Sequence, residues 1–443
     1  MDGLIRGLDD AALRDRVSQA TVLYFLDWSH SVSGMARERS GGRHGYDINE
    51  TVCTGGTGFG LLAQIVAVER GWRPRQEIFD RVARLTSFLE HADSFDGVFP
   101  HFLHGTTGRV LPFARGDDGG DVVETAFLML GLLAAAAYFR EEPELGERIQ
   151  ALFDAVNWTA HLRADGAIMW HHHPDRPWAE NALPVRGWNE ALPVFILGAG
   201  SRSHPIPAAS YHDSWARAPA FRNGRTYGGV VLPLGPDWGG PLFLSQYPFL
   251  GIDPRGLRDA YADYGMQARN HALINRYHCL VNPQGWAGYG RDCWGLSASD
   301  DPADYVAHSP TEDTGVITPT AALSSFPFAP AEAMPVLRHL HDDLGSRIWG
   351  DAGFVDAFSL SHDWVAEGRL AIDQAPIVIG LENHRSGLLW QLVSGRPEVQ
   401  RGLRALGFSA PWLHRPGPED ADQAPIAVSA AASIWAQAAP AGQ

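Results

Sequence analysis

From Val122 to Ala137 the chain reads VVETAFLMLGLLAAAA, and only Glu124 and Thr125 interrupt the apolar run. A helix that is apolar on every side has no face to give to water, so the chain must wrap other elements around it. The stretch 121–140 is too interrupted to cross a bilayer, since no segment reaches about 18 uninterrupted apolar residues. Residues 57–70 and the run that follows Asn189 and ends near Gly198 and Gly200 have the same character. Residues 9–27, 75–91 and 145–157 instead carry apolar positions at helical spacing with polar residues between them. Helices apolar all round thus alternate with amphipathic ones, which predicts an inner ring of helices sheathed by an outer ring.

Further helices are expected over 257–279, 330–343 and 397–406, and over 370–393 with breaks at Pro376 and Gly387. Short strands are expected near 166–171 and 226–232. No βαβ alternation and no short-period repeat is present. Gly58-Phe59-Gly60-Leu61-Leu62-Ala63 fits a loose dinucleotide fingerprint, but no strand precedes it, so the glycines are read as sites of close helix packing. One domain over 1–412 is expected, followed by a tail over 413–443 that is loop-like from Pro416 to Ala424 and helical over 425–438.

The net charge of −16, without a Lys/Arg cluster, argues against nucleic acid and anionic polysaccharide as partners. A neutral glucan or oligosaccharide suits such a surface, and 15 tryptophans offer flat faces for sugar rings as well as core filling. Cys53, Cys279 and Cys293 form no zinc spacing and are read as free thiols, with a Cys279–Cys293 bridge left open. The N-terminal residues Met1 to Arg6 have no apolar leader core. A cytoplasmic location is expected for the chain as it stands, or a periplasmic or secreted one if a leader has been removed. No membrane partner is expected, and the protein is expected to be a monomer or homodimer.

The acidic constellations carry the chemistry. Asp117, Asp118, Asp121 and Glu124 precede the buried helix; Asp121 as N-cap with Glu124 three residues on makes a capping box, and Asp117 and Asp118 exceed what capping needs. Glu190 follows Trp188 at the mouth of another apolar helix, where the helix dipole would lower its pKa, so an acid role needs burial or a second carboxylate nearby. Trp170, His171, His172 and His173 stand in a row; adjacent strand residues alternate faces and cannot all bind one metal, so no metal is assigned and sugar binding is preferred. Asp313, Asp356, Asp373, Gln374 and Glu382 lie among aromatics that include Trp294 and Trp364. Carboxylates and amides there can accept or donate to sugar hydroxyls.

Ten segments in order carry a family resemblance. They include YFLDWSHSVSGMARER at 24–39, GVFPHFLHGTTG at 97–108, DDGGDVVETAFLMLGLL at 117–133, RGWNEALPVFILGAGS at 186–201, GPLFLSQYPFLGIDPRG at 240–256 and AIDQAPIVIGLENHRSGLLW at 371–390. Over residues 17–408 the chain resembles the bacterial glucoamylase-like glycoside hydrolases, the group containing the endo-β-1,2-glucanases of glycoside hydrolase family 144. The resemblance implies an all-α (α/α)6 barrel with a few short strands in loops and hydrolysis by carboxylates with no cofactor. It implies Glu190 as general acid, with water activated by Asp121 or Glu124. The substrate-binding candidates are Arg39, His101, Asp118, Trp170, His171, Trp188, Gln246, Tyr247, Trp294, Asp356, Asp373, Gln374 and Glu382. The chain departs from its kin at His172–His173, Gln246–Pro248 and Ala375, which bears on linkage and on endo- versus exo-action. The expected activity is hydrolysis of β-1,2-glucan or its oligosaccharides, with inversion. The alternatives are a transglycosylase, an exo-enzyme releasing disaccharide, a lyase and a glycan-binding protein without turnover.

Overall fold

The computed structural model describes residues 4–42, 45–114, 116–176 and 183–413. The loop-like and helical readings for the tail beyond 413 lie outside these residues.

Among the described residues the α-helices are α1 (Asp10–Asp27), α2 (Thr54–Glu69), α3 (Arg75–Leu89), α4 (Val122–Tyr138), α5 (Pro143–Ala155), α6 (Leu192–Gly200), α7 (Tyr264–Val281), α8 (Pro319–Leu323), α9 (Pro330–Arg338), α10 (Gly345–Ile348), α11 (Ala371–Arg385), α12 (Leu388–Ser394) and α13 (Pro397–Ala405). The apolar helices are the inner ones. Residues 54–67 of α2, 122–136 of α4 and all of α8 are buried on every side. Helices α3 and α5 bury one stripe each, led by Ile78, Val82 and Leu85 in the first and by Leu145, Ile149 and Phe153 in the second. Helix α2 packs on α4 and α11, α4 on α6, and α11 on α8. Helix α1 covers α2 and α11, α12 covers α4, and α13 covers α6. The result is a helical barrel with inner and outer layers and no closed β-barrel.

The glycine reading of 58–63 is settled by the α2–α4 crossing. A Cβ on Gly58 would stand 2.1 Å from the carbonyl oxygen of Phe127, and one on Gly131 would stand 2.1 Å from that of Gly58. Only two facing glycines let these helices touch backbone to backbone. The same device joins α6 to α13, where a Cβ on Gly402 would meet the Ile196 carbonyl at 1.8 Å.

Several boundaries differ from expectation. The helix expected from 257 starts at Tyr264, where Asp263 caps it by accepting from Met266 N at 3.0 Å. Pro376 does not break α11; it sits in the second turn of a continuous helix, and Ser386 with Gly387, the latter at φ 69°, separates α11 from α12. Residues 339–343 continue α9 as a π-helical turn. The strand near 166–171 is short: His171–His172 pairs with Gly120–Asp121. Residues 226–232 hold a hairpin, Thr226–Tyr227 against Val230–Val231. The three cysteines are free and buried, so Cys279 and Cys293 are not bridged. Among the described residues no helix is long and apolar enough to cross a membrane.

Candidate active site

The N-terminal ends of α2 and α4, the turn before α6, and loops around residues 38–46, 113 and 298–305 enclose a cavity of about 650 Å³. Its lining includes Glu124, Glu190, His101 and Trp170 together with Arg39, Asp300, Tyr247 and Tyr305.

Asp121 caps α4 from a wholly buried position. Its Oδ1 accepts from Val123 N at 2.9 Å and Glu124 N at 3.0 Å. Its Oδ2 accepts from His101 Nδ1 at 3.3 Å and Trp170 Nε1 at 3.2 Å, and His171 Nδ1 lies 3.7 Å away. Burial opposes ionisation of this carboxyl, but the hydrogen bond from His101 and the charges of His171 and His101 outweigh it and hold its pKa below the usual value. Asp121 does not reach the cavity wall.

The second half of the capping box is absent. Asp121 N donates to Phe99 O at 2.9 Å, because the 120–121 strand is occupied by loop backbone there. Glu124 turns instead towards α2, where its Oε2 accepts from Gly55 N at 2.7 Å. That turn carries it into the cavity. Burial, together with the neighbouring charges of Asp121 and Asp117, raises its pKa, against the opposing pull of His101 and Gly55 N–H.

Glu190 is not a first-turn residue. Helix α6 begins at Leu192 with Ala191 as its cap, and Glu190 lies in the turn before it. Burial, then the charges of Asp121 and Glu124, push its carboxyl up to about 7 against its own backbone N–H. An acid role at this position needed burial or a second carboxylate nearby, and both raise the Glu190 carboxyl here.

The other candidates divide. His101 is in the wall, stacked on Phe113 with ring centroids 4.2 Å apart. Arg39 is in the wall and bonds Glu38 Oε2 at 2.8 Å and Asp300 Oδ1 at 2.9 Å. Tyr247 is in the wall, and its hydroxyl donates to Asp373 Oδ1 at 3.0 Å. Asp356 and Asp373 stand behind that wall, each 1% exposed and in hydrogen-bond contact with each other. Asp356 Oδ2 accepts from Asp300 N at 2.7 Å, and burial first, then mutual charge, raises the Asp356 carboxyl. His171 lies 3.0 Å from Asp117 Oδ1, His172 lies 4.0 Å from Asp96, and His173 packs on Phe95, so the triplet diverges.

Six candidates are placed away from the cavity. Trp188 is in the core among Trp215, Phe249 and Tyr264, with Nε1 donating to Ser245 Oγ. Trp294 is wholly buried and donates to Glu332 O. Gln246 ties its segment to α8 by donating to Ala321 O and Ser325 Oγ, each at 2.8 Å. Gln374 is buried with its amide on Phe354 O. Glu382 pairs with Arg385 at the far end of α11, and Asp118 pairs with Arg176 outside the wall. In each case a structural partner takes the polar group, which a sequence does not display. The sequence reading missed Glu38, Tyr46, Phe113, Asp300 and Tyr305 in the wall. Glu38 and Asp300 sit in the quoted or adjoining family segments; Phe113 and Tyr305 carry no local signal.

The family model described as "Glycoamylase: Putative glucoamylase" matches residues 182–397. An endo-β-1,2-glucanase from Chitinophaga pinensis, solved with sophorotriose and glucose, is 44% identical, with a TM-score of 0.89 over 92% of this chain and 100% of that one. An exo β-1,2-glucooligosaccharide sophorohydrolase (non-reducing end) from Parabacteroides distasonis is 36% identical over 90% of this chain. The chain spans 58% of the length of that curated relative. An endo-β-1,2-glucanase from Talaromyces funiculosus shares the fold alone, at 12% identity and a TM-score of 0.64.

Proposed function

The chain belongs to the glucoamylase-like family that includes bacterial endo-β-1,2-glucanases, and from that premise we propose that it hydrolyses β-1,2-glucan or its oligosaccharides. The observation that carries the reading is that Glu190 and Glu124 both line one cavity, with the Glu190 carboxyl pushed up to about 7. Glu190, pushed up to about 7 by burial and by neighbouring carboxylates, keeps its proton and gives it to the leaving glycosidic oxygen. Glu124 is the carboxylate that reaches the cavity and takes a proton from the attacking water, directly or through a sugar hydroxyl. Asp121 shares neither role, because both of its oxygens are committed to protein donors. Trp170 and Phe113 offer faces to the sugar rings, and Arg39, Asp300 and Tyr305 offer polar groups in the same cavity. Inversion at the anomeric carbon is proposed, since water and acid act from different residues.

Glu190→Gln is the direct test. It keeps the shape and removes the proton, so kcat/KM on β-1,2-glucan is expected to fall by about 10²–10⁴. Turnover equal to the parent protein removes Glu190 from the mechanism. The anomer released, read by NMR within the first turnovers, reports inversion or retention. A second reading, exo-release of disaccharide, draws on the Parabacteroides relative. A ladder of product lengths from long glucan supports endo-action, and disaccharide alone supports exo-action.

A further inference from the structure

We propose that His101, clamped by Asp121 and lining the cavity beside Glu124, is a positioning residue of the site that favours the carboxylate form of Glu124. The inference rests on the carboxylate roles proposed above.

The geometry is that of a relay of holding contacts. Asp121 is wholly buried and never meets the cavity, yet it gives one oxygen to the imidazole of His101, which does. The ring is fixed on three sides: Nδ1 is on Asp121, one face is on Phe113, and an edge packs against Phe102 at 4.7 Å. His101 and Glu124 both line the cavity. The groups that face this pair are Asp117 from the loop before α4, His171 from the paired strand, Glu190 from the turn before α6 and Cys53 at the start of α2. The carboxylates among them all oppose ionisation of Glu124. His101 and the Gly55 N–H are the groups that favour it. Burial works against a charged imidazole, but Glu124 and Asp121 prevail and raise it to about 9, so the ring is charged at neutral pH. Two carboxyls in one cavity can take different protonation states only if something separates their affinities for the proton. His101 does so, and Asp121 works through His101.

The test compares the parent protein with His101→Asn and His101→Lys. The pH profile of kcat/KM on β-1,2-glucan oligosaccharides is read alongside the His101 imidazole titration, followed by NMR on histidine-labelled protein. In the parent the imidazole is expected to stay protonated through neutral pH. In His101→Asn the acid limb of the profile is expected to move up by about one pH unit, narrowing the bell, while His101→Lys moves it back. A lower rate with both limbs unmoved in His101→Asn overturns the proposal, because lost packing slows turnover without changing which protonation state reacts. An imidazole titrating near its ordinary value of about 6.5 also overturns it. The titration needs no turnover and no variant. Absence of hydrolysis by the parent therefore removes the proposed function while the imidazole reading still decides the fate of the His101 charge.

Discussion

Replacing Gly58 by alanine tests the link between the helix crossing and the site. The new methyl carbon would lie 2.1 Å from Phe127 O and 2.5 Å from Leu128 Cα, where ordinary contact is 3.4–4 Å. Both obstacles are backbone, so no side chain can swing away, and α2 must retreat from α4 by more than about 1 Å. Alanine gains about 1 kcal/mol over glycine in a helix interior. Overpacking costs about 1–3 kcal/mol, occasionally more, and a backbone obstacle sits at the costly end. A net loss of about 2 kcal/mol or more is expected, read as a lower urea midpoint. Gly146 in α5 supplies the control, since a Cβ there meets nothing within 4 Å. Gly146→Ala should therefore raise stability by up to about 1 kcal/mol, read as a higher urea midpoint. The site should also respond. Gly55, one turn before Gly58, donates to Glu124 at 2.7 Å, and retreat of α2 stretches that bond. Under conditions where Gly58→Ala is fully folded, kcat/KM should fall and its acid limb should move up. Equal stability for Gly58→Ala and the parent protein refutes the reasoning about the crossing. Loss of stability with unchanged kinetics refutes the coupling to Glu124.

Other expectations follow from charge. Burial holds the Asp373 carboxyl up at about 7, while it ionises near 4 in an unfolded chain, so the fold loses stability as pH rises from about 4 through 7. Asp373→Asn removes that loss and should raise the melting temperature at pH 8 more than at pH 5; a larger gain at pH 5 refutes the assignment. His101 has the opposite sign. Its folded pKa is raised to about 9, so its contribution is full below about 6.5 and is lost as pH climbs through 9. The stability gap between the parent and His101→Asn should therefore be wide at pH 6 and close by about pH 10.5, as followed by thermal melts.

The barrel was legible because its inner helices must be apolar on all sides, as in α2 and α4, while the outer ones show a stripe, as in α3 and α5. Asp121 as a cap was equally legible, since capping is local. Glu124 was not: its partner is Gly55, 69 residues away, and sequence proximity to Asp121 suggested the wrong bond. Trp188 and Trp294 stood beside acidic or polar residues in the chain, yet adjacency along a turn puts neighbours on opposite faces, and both indoles went to the core. The Arg39–Asp300 part of the cavity lining was hidden for the same reason. Arg39 meets Asp300 across 261 positions, a pairing that no local pattern announces.

The single oxygen Oδ2 of Asp121 has a further consequence for how such a site can change over generations. It serves His101 and Trp170 at once, with His171 close by. An oxygen with two lone pairs cannot satisfy three claimants equally, so each ring's hold depends on the others. Loss of one indole or imidazole lets the survivors draw nearer, and the cost of the next loss is set by the first. Substitutions here are therefore epistatic, and the order in which they arise decides which sequences a lineage can reach.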